Sequence, residues 1–578
     1  MPTLAVTNFN IIVGVLGGWI SLFGLVSFLC KEKYYLSEAL ISLLAGVAFS
    51  PPAANLIRPL EYAGSEENVE SVTLAFSRLV LGVQLVLAGV QLPSRYLRTQ
   101  WKPMALLVGP VMTCMWLATS LLVWGLVPNL PFLHALAVGA CVTPTDPVLS
   151  NVIVKGRFAD HNIPKELQNL IIAESGANDG LGYPFLFFSL YLIKYIGDGG
   201  KQASGGAGLA MGLWFGETWG YTIILSVIYG AVVGWLAKRL LRWAESHKYV
   251  DRESFLVFAI SLALFIVGTC GMIGSDDVLA CFIAGNAFTW DDWFRLETED
   301  DSFQPTIDML LNVTIFMWYG AVLPWNEFLH NNVIPIYRLI PLGILVLMFR
   351  RLPFVFAIHR VIPQIEEVKQ AIFVGFFGPI GVSAVFYLYV TLEFIHTLNE
   401  GEEPRADVAH MGEVVRVVVW FLAVCSIVVH GLSIPLGKLG YYAPRTLSRG
   451  VSFMSGDGDE PRSFRVRGRV AFPFGRSRSV ASNGVADAES GTPSETETSR
   501  AVYRIGGSII PRQQGQSGTS TPKRLDEPAQ RSGPEDGVLQ TEVADRREAS
   551  APQAPELPSR TIRFPDETPA PQGSPREL

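Results

Sequence analysis

The chain has 578 residues, of which 49% are hydrophobic and only 17% are charged, whereas soluble domains contain about 25% charged residues. Residues 446–578 hold 18 basic and 18 acidic side chains, so the formal net charge of −7 belongs to residues 1–445, with 27 Lys and Arg against 34 Asp and Glu. This composition excludes a soluble globular protein, a secreted disulfide scaffold and a nucleic-acid-binding protein driven by bulk positive charge. We expect a lipid bilayer around residues 1–445 and no nucleic-acid partner.

Thirteen apolar stretches are candidates for transmembrane helices, each of which needs about 20 mainly apolar residues. They lie near residues 8–29, 36–57, 72–92, 103–126, 131–154, 168–196, 219–241, 254–273, 276–290, 306–325, 333–355, 369–395 and 413–437. Three of them are weak, because one is short (276–290) and two contain helix-breaking motifs (131–154 and 369–395). The sequence predicts an all-α polytopic membrane protein with about thirteen transmembrane helices.

Lys and Arg side chains are concentrated in alternate loops between these spans, namely the loops at 31–33, 95–102, 155–165, 238–252 and 360–369. Basic loops stay on the cytoplasmic side of a membrane. With thirteen spans, this asymmetry predicts an N-terminus outside and a C-terminus in the cytoplasm.

Residues 446–578 are rich in Ser, Pro, Arg and Glu. Such a segment cannot bury enough apolar surface to fold alone, so we expect a disordered cytoplasmic tail after a transmembrane domain at residues 1–445. Its basic stretch, Arg462 to Arg478, either lies on anionic lipid or is a solvated linker. The tail is therefore a candidate for binding regulatory proteins or anionic lipid.

The fifth span contains the motif TPTDP, which comprises Thr143, Pro144, Thr145, Asp146 and Pro147. Two prolines this close cannot continue a helix without the loss of backbone hydrogen bonds. A broken helix exposes carbonyl groups and half-helix ends, which transporters use to bind ions within the membrane. The alternative is an ordinary Asp-Pro turn, which the apolar sequence on both sides disfavours. We expect a discontinuous helix here.

The sixth span contains ESGANDG, in which Glu174 and Asn178 share a helix face and Asp179 is turned about 100° from Asn178. A carboxylate inside a membrane is costly and is therefore a functional candidate. Such a group can hold a proton or a monovalent cation, but not both, which is sufficient for exchange. The alternative is an Asn-Asp-Gly hairpin turn, which the apolar residues that follow at once disfavour.

A buried Glu174 needs a cationic partner, because a lone buried charge is expensive. The eleventh span ends with Arg350 and Arg351 in an apolar run. Either arginine is a candidate for a structural ion pair with Glu174. The alternative is that the arginines extend to the membrane interface.

The twelfth span contains GPIG, with Gly378, Pro379 and Gly381. It lies seven spans after the TPTDP motif. Two interrupted helices in corresponding halves indicate an inverted-repeat transporter. We therefore expect two discontinuous helices that cross at the binding site.

A further acidic pair, Asp276 and Asp277, opens the ninth span. Acidic residues are favoured at helix N-termini, and capping is the preferred interpretation over a direct role with the ion. The pair is therefore a secondary candidate.

At these motifs the chain resembles the monovalent cation/proton antiporters. The segments GSDDVLACFIAGNAFTWDDWF and FFGPIGVSAVFYLY are similar to the fungal plasma-membrane Na+/H+ antiporters in particular. The resemblance covers about residues 5–445. It implies a fold with a dimerisation domain and a mobile core domain, homodimers, and elevator-like alternation of access.

The resemblance also implies roles for individual residues. Asn178 and Asp179 match the family's Asn-Asp pair, with Asp179 as the carrier of the ion and the proton. Thr145 and Asp146 match its unwound-helix motif, which places the transported Na+ at Asp179 and Thr145.

Glu174 and Arg351 match the family's acid–arginine pair, although the neighbouring Arg350 leaves that assignment open. No resident cofactor and no enzymatic activity are implied. The ions are cargo.

The expected function is secondary antiport, in which cytosolic Na+, Li+ or K+ leaves while H+ enters and both compete for Asp179. Such an exchanger would serve pH homeostasis and salt tolerance.

One alternative is a K+/H+ exchanger of an organelle membrane. A cation channel is another, although no selectivity-ring motif is present. An intramembrane aspartyl protease would need a YD motif paired with a GxGD motif, and the sequence has no such pair. A receptor would require the tail for function.

Overall fold

The computed structural model describes residues 6–154, 163–197, 205–400 and 403–454, and all thirteen predicted spans fall within these ranges. Their secondary structure is helical, apart from a two-residue antiparallel pairing of Asn399–Glu400 with Glu403–Pro404. The prediction of an all-α membrane-type fold is confirmed. The last helix continues nine residues past the boundary predicted at residue 445, and the remainder of the predicted tail lies outside the described residues.

The helices of the first half of the chain include the two that flank the first predicted break. They are α1 (Asn8–Phe28), α2 (Glu38–Phe49), α3 (Pro59–Ala63), α4 (Glu66–Gln91), α5 (Tyr96–Thr99), α6 (Trp101–Leu106), α7 (Met112–Leu126), α8 (Phe132–Cys141), α9 (Pro147–Val154), α10 (Lys165–Gly180), α11 (Tyr183–Tyr195) and α12 (Gly206–Leu213). Short π-helical segments extend α1 and connect α6 to α7, over Leu29–Lys33 and Leu107–Val111.

The helices of the second half contain the second break. They are α13 (Leu225–Ser246), α14 (Arg252–Ile273), α15 (Asp277–Phe288), α16 (Trp293–Glu297), α17 (Phe303–Val322), α18 (Trp325–Leu329), α19 (Ile336–Phe349), α20 (Leu352–Ile358), α21 (Val368–Phe376), α22 (Val382–His396) and α23 (Ala406–Met454). A π-helical segment, Trp214–Ile224, joins α12 to α13, and a 3-10 turn, His359–Val361, follows α20.

Seven helical stretches of the described chain have the length and apolar composition that a membrane crossing requires. They are Asn8–Lys31, Glu66–Gln91, Trp101–Leu126, Gly206–Ser246, Arg252–Ile273, Ile336–Val361 and Asp407–Pro435. The shorter helices α2, α8, α15 and α22 are also apolar. The total of thirteen crossings stays a prediction.

The predicted sixth span is two helices rather than one. Helix α10 ends at Gly180, and α11 begins at Tyr183. Pro184 lies in the first turn of α11 and has no amide hydrogen, so the carbonyl of Gly180 cannot receive its usual helical hydrogen bond. The hydroxyl of Tyr387 donates instead at this junction, to Asp179 O and, at 3.3 Å, to Gly180 O.

Burial separates the outer helices from the central ones. Helix α1 buries only Phe23 and exposes large apolar side chains such as Leu25, which is 81% exposed. In contrast, α22 is buried along nearly its whole length. The exposed apolar surface of α1 is typical of a helix that faces lipid. Helices α10 and α22 are buried instead, so their polar side chains lie in the protein interior.

Two helix crossings place glycine against glycine. A Cβ on Gly46 of α2 would lie 2.1 Å from a backbone oxygen of α17, and a Cβ on Gly320 of α17 would lie 2.3 Å from one of α2. Helices α4 and α15 cross in the same way at Gly89 and Gly285. Small residues let helix backbones approach closely in membranes, and any side chain at these positions would force the helices apart.

Candidate functional site

The first break separates α8 from α9 at residues 142–146, which are fully buried. Pro144 lies within the break, and Pro147 begins the second half-helix. The carboxylate of Asp146 receives the amide hydrogen of Val148 at its Oδ1, at 3.0 Å. Asp146 therefore caps α9, as expected for an acidic residue at a helix N-terminus.

The second break separates α21 from α22 at residues 377–381 and crosses the first one. The amide of Asp146 donates to the carbonyl of Pro379 at 3.0 Å, and the amide of Val382 donates to Asp146 Oδ2 at 2.8 Å. A Cβ on Gly381 would lie 1.8 Å from Asp146 Oδ2. One carboxylate thus caps a half-helix in each discontinuous helix, and glycine is required where they touch.

Arg350 fills the space between the two breaks. Its guanidinium donates to the carbonyls of Thr143 at 3.3 Å and Pro144 at 3.2 Å, and also to those of Val142 and Gly378. These carbonyls have lost their helical donors, and a buried carbonyl without a donor is costly. Arg350 therefore stabilises both unwound segments and makes no ion pair with Glu174.

Arg351 is the arginine that contacts Glu174. Its guanidinium meets the carboxylate with two parallel hydrogen bonds, one of which joins Nη2 to Oε2 at 2.7 Å, and both side chains are buried. Its Nε also donates to the carbonyl of Val374 on α21 at 2.9 Å. The bidentate geometry is the strong form of this interaction, and it ties α10 to the second discontinuous helix.

Asn178 and Thr145 bond to each other twice. The backbone amide of Thr145 donates to Asn178 Oδ1 at 3.0 Å, and Asn178 Nδ2 donates to Thr145 Oγ1 at 2.8 Å. The hydroxyl of Ser175 lies 3.2 Å from those of Thr145 and Ser150. These contacts hold α10 against the first break and place several neutral oxygen atoms together.

Asp179 differs from Asp146 and Glu174, whose carboxylates both accept hydrogen bonds. It is 1% exposed, and neither of its carboxylate oxygens is in hydrogen-bond geometry with a donor of the described chain. The hydroxyl of Ser383 faces it, and the carboxylates of Asp146 and Asp276 lie near enough to repel its charge. A buried polar atom without a hydrogen-bond donor is costly, so the environment of Asp179 is unusual for a structural side chain.

Asp276 and Asp277 have different environments. Asp276 caps α15, since its Oδ1 receives the amide hydrogen of Leu279 at 2.9 Å. Asp277 receives a hydrogen bond from Arg78 Nε at 2.6 Å. The capping interpretation therefore describes Asp276, whereas Asp277 belongs to an ion pair between α4 and α15.

A polar cavity of about 720 Å³ reaches this ion pair from the protein surface. Its lining includes Glu67, Glu70 and Glu393 as well as Arg78 and Asp277. Asp179 does not line the cavity. In this conformation the charged cavity therefore stops short of the unpaired carboxylate.

Several polar residues at the site have no distinctive sequence signal. Ser175 and Ser383 lie inside or beside the recognised motifs, but a serine in an apolar helix is common. Tyr387 and Arg78 bond to partners about 200 residues away, and such pairs cannot be read from local sequence. Their proximity to Asp179 and Asp277 becomes evident only in the folded chain.

The sequence matches a family model described as "Sodium/hydrogen exchanger, transmembrane" over residues 18–436. It is also similar to curated proteins. The Na+/H+ antiporter 2 of Zygosaccharomyces rouxii is 38% identical over 449 residues, which are 76% of this chain and 54% of the relative. The Na+/H+ antiporter of Saccharomyces cerevisiae is 35% identical over 471 residues, or 80% of this chain and 46% of the relative. The chain spans about half the length of these relatives.

The fold is similar to that of the sodium proton antiporter MjNhaP1 from Methanocaldococcus jannaschii, solved at pH 8. The TM-score is 0.51 at 19% sequence identity, and the match covers 74% of this chain and all of that one. At this identity the likeness concerns the fold alone. It agrees with the helical architecture described above.

Proposed function

Because the chain belongs to the sodium/hydrogen exchanger family of transmembrane proteins, we propose that it is a secondary antiporter that exchanges cytosolic Na+ for protons across a membrane. The observation that carries this proposal is the buried carboxylate of Asp179, whose two oxygens have no hydrogen-bond partner in the described chain. Such a group holds either a proton or a monovalent cation, so that the two ions compete and exchange follows.

The neighbours of Asp179 have supporting roles in this proposal. Thr145 and Asn178 supply neutral oxygen atoms beside it, and oxygen ligands suit hard cations. Asp146 shapes the site by capping both half-helices, and its charge adds to the negative potential that attracts a cation. The ion pair of Glu174 with Arg351 fixes α10, which carries Asp179.

The proposal extends to the whole protein. Residues 1–445 form the exchanger, with a dimerisation part and a mobile core that moves like an elevator, and residues 446–578 form a cytoplasmic tail that binds regulatory proteins or anionic lipid. The protein is a homodimer of the plasma membrane with its N-terminus outside. The orientation is supported by the concentration of Lys and Arg in alternate loops, which places the basic loops on one side of the membrane. Li+ and K+ are further cargo, and no cofactor takes part.

The test is exchange by the purified full-length protein in proteoliposomes with an imposed pH gradient. We expect saturable Na+ uptake coupled to proton release, and an apparent KM for Na+ that rises as the pH falls because protons compete for the carboxylate. Parallel assays with Li+, K+ and Rb+ give the selectivity. Flux that does not saturate and does not move protons would indicate a channel, and exchange of K+ alone would indicate a K+/H+ exchanger; either result would overturn the proposal.

A further inference from the structure

His430 lies on α23, next to the end of the half-helix α21. It is 6% exposed. Its ring lies against those of Phe376 and Phe377, with centroid separations of 5.2 and 6.0 Å. Phe376 is the last residue of α21, and Phe377 is the first residue of the second break. The histidine is therefore at the point where the helix stops.

The break separates two backbone groups that a continuous helix would join. In an α-helix the carbonyl of residue 376 accepts from the amide of residue 380. Here Phe376 O lies 3.0 Å from His430 Nε2, and the amide of Ile380 donates to Ser426 Oγ at 2.7 Å. Ser426 Oγ in turn lies 3.1 Å from His430 Nδ1. Two side chains of α23 thus connect the two separated groups.

The partners fix one hydrogen of the histidine. Phe376 O needs a hydrogen from Nε2, in the neutral ring and in the charged one alike. Nδ1 lies between the Ser426 hydroxyl, at 3.1 Å, and the Ser426 carbonyl, at 2.8 Å. In the neutral ring with its hydrogen on Nε2, Nδ1 accepts from the hydroxyl, whose own hydrogen is free because its oxygen accepts from Ile380. The hydrogen on Nε2 is assigned from these partners.

An imidazolium would change the link to the Ser426 hydroxyl but would keep the one to Phe376 O. With hydrogens on both nitrogens, His430 could no longer accept from Ser426 and would donate to the carbonyl of Ser426, which lies 2.8 Å from Nδ1. It would also bring a second positive charge near Arg350, the charged group that faces it. Arg350 donates to Gly378 within the same break, so the surroundings suit a neutral ring.

We propose that His430 and Ser426 act as one positioning unit for the cation site, by replacing the backbone hydrogen bond that the break removes. The unit holds Ile380, which is followed by Gly381 and by Val382. The amide of Val382 donates to Asp146. The unit therefore fixes the segment that orients Asp146, and through it the surroundings of Asp179, without contact with the cargo. This inference rests on the proposed antiport activity.

The test compares substitutions in full-length protein reconstituted in proteoliposomes. H430A and S426A each remove one link and should raise the KM for Na+ roughly five- to tenfold, the factor associated with one buried hydrogen bond, with a smaller change in maximal rate. H430Q should stay within about twofold of the wild type, since a glutamine amide both donates and accepts. The double variant should be little worse than either single one, because the two residues act in one chain. C425A, at the adjacent position on α23, is the matched control.

The outcomes separate this inference from the proposed function. A wild type that exchanges Na+, with H430A and S426A at wild-type KM, would overturn the positioning unit alone. So would H430Q as impaired as H430A, because the hydrogen-bond pattern would then not be what the histidine supplies. A wild type without exchange would instead overturn the antiport activity. S426A removes only a hydroxyl and so gives the same test if H430A does not fold.

Discussion

Two buried carboxylates lie near each other at the crossing of the discontinuous helices, and their surroundings are opposite. Asp146 receives amide hydrogens at both oxygens, from Val148 and Val382. Asp179 receives none within the described chain. An acid that is already bonded has a fixed structural role, whereas an acid without donors has oxygen atoms that remain available to a cargo ion. At the scale of single residues, this difference supports the proposed role of Asp179 as the carrier.

The first prediction concerns Asp179 itself. D179N should abolish exchange of Na+ for protons, because an amide neither binds a proton at neutral pH nor offers a negative charge to a cation. The measurement is Na+-dependent proton movement in proteoliposomes. D300N, in an exposed loop position, is the control and should keep wild-type activity. Substantial exchange by D179N would contradict the assignment.

The second prediction concerns the ion pair of Glu174 with Arg351. E174A should lower the free energy of unfolding by about 3–5 kcal/mol, because it leaves Arg351 buried without its partner. Thermal unfolding of the purified protein in detergent measures this loss. The double variant E174M/R351M should recover part of the stability, since it removes both charges and fills the space. Equal stability of E174A and the wild type would show that the pair is not stabilising.

The sequence predicts the residue types at the site better than their contacts. The acid and amide of ESGANDG and the need of Glu174 for a cation follow from the cost of burying charge. Whether Arg350 or Arg351 is the partner does not follow, because adjacent residues at the end of a helix point in different directions. In the structure, Arg351 forms the ion pair with Glu174, whereas Arg350 donates hydrogen bonds to four backbone carbonyls.

At the scale of elements, the decisive feature is that the two broken helices touch through one side chain. Proline and glycine content predicts where each helix breaks. It does not predict that Asp146 caps the second helix as well as its own. That contact joins positions 236 residues apart, and it depends on how the two halves of the chain pack.

The third prediction tests this contact. G381A should reduce exchange about 100-fold, the effect of roughly 1 Å of misplacement at a functional site, since a Cβ would lie 1.8 Å from Asp146 Oδ2. The measurement is the transport rate normalised to reconstituted protein. G412A on α23 is the control, because a Cβ there meets its nearest atom at 3.8 Å. Unchanged transport by G381A would mean that the close contact is dispensable.

The predicted sixth span is incorrect. The apolar run from residue 168 to 196 suggests a single helix, but α10 and α11 are separate. Hydropathy does not detect the junction because its residues are apolar or small. Pro184 is the local signal, and the hydroxyl that satisfies the exposed carbonyls comes from Tyr387, far along the chain.

At the scale of the whole molecule, the glycine crossings follow the proposed repeat. In the numbering of the predicted spans, α2 and α17 are spans two and ten, and α4 and α15 are spans three and nine. In a repeat of seven spans, span two corresponds to span nine and span three corresponds to span ten. The crossing of spans two and ten therefore corresponds to the crossing of spans nine and three. The same shift relates the two broken helices. Spacing of the motifs predicts the repeat, whereas the paired glycine contacts require the structure.

The fourth prediction concerns the extent of chain needed for transport. A protein that ends after Met454 should keep Na+/H+ exchange within about twofold of the full chain, because every contact described at the site lies before that residue. The readout is the initial rate in proteoliposomes at equal protein content. Loss of exchange would assign part of the mechanism to residues 455–578, as a receptor-like role of the tail would require.

Arg350 has a consequence for how cargo is recognised. Its guanidinium occupies the carbonyl oxygens of the two unwound segments, which are the ligands that strip water from alkali ions in some channels. The guanidinium thus takes the position that a bound cation would have among these carbonyls, and it is covalently part of the protein. In the proposed antiporter, the transported ion is then selected by side-chain oxygens and by the water it retains. Discrimination between alkali metals should therefore depend on ion hydration more than on a rigid set of carbonyl ligands.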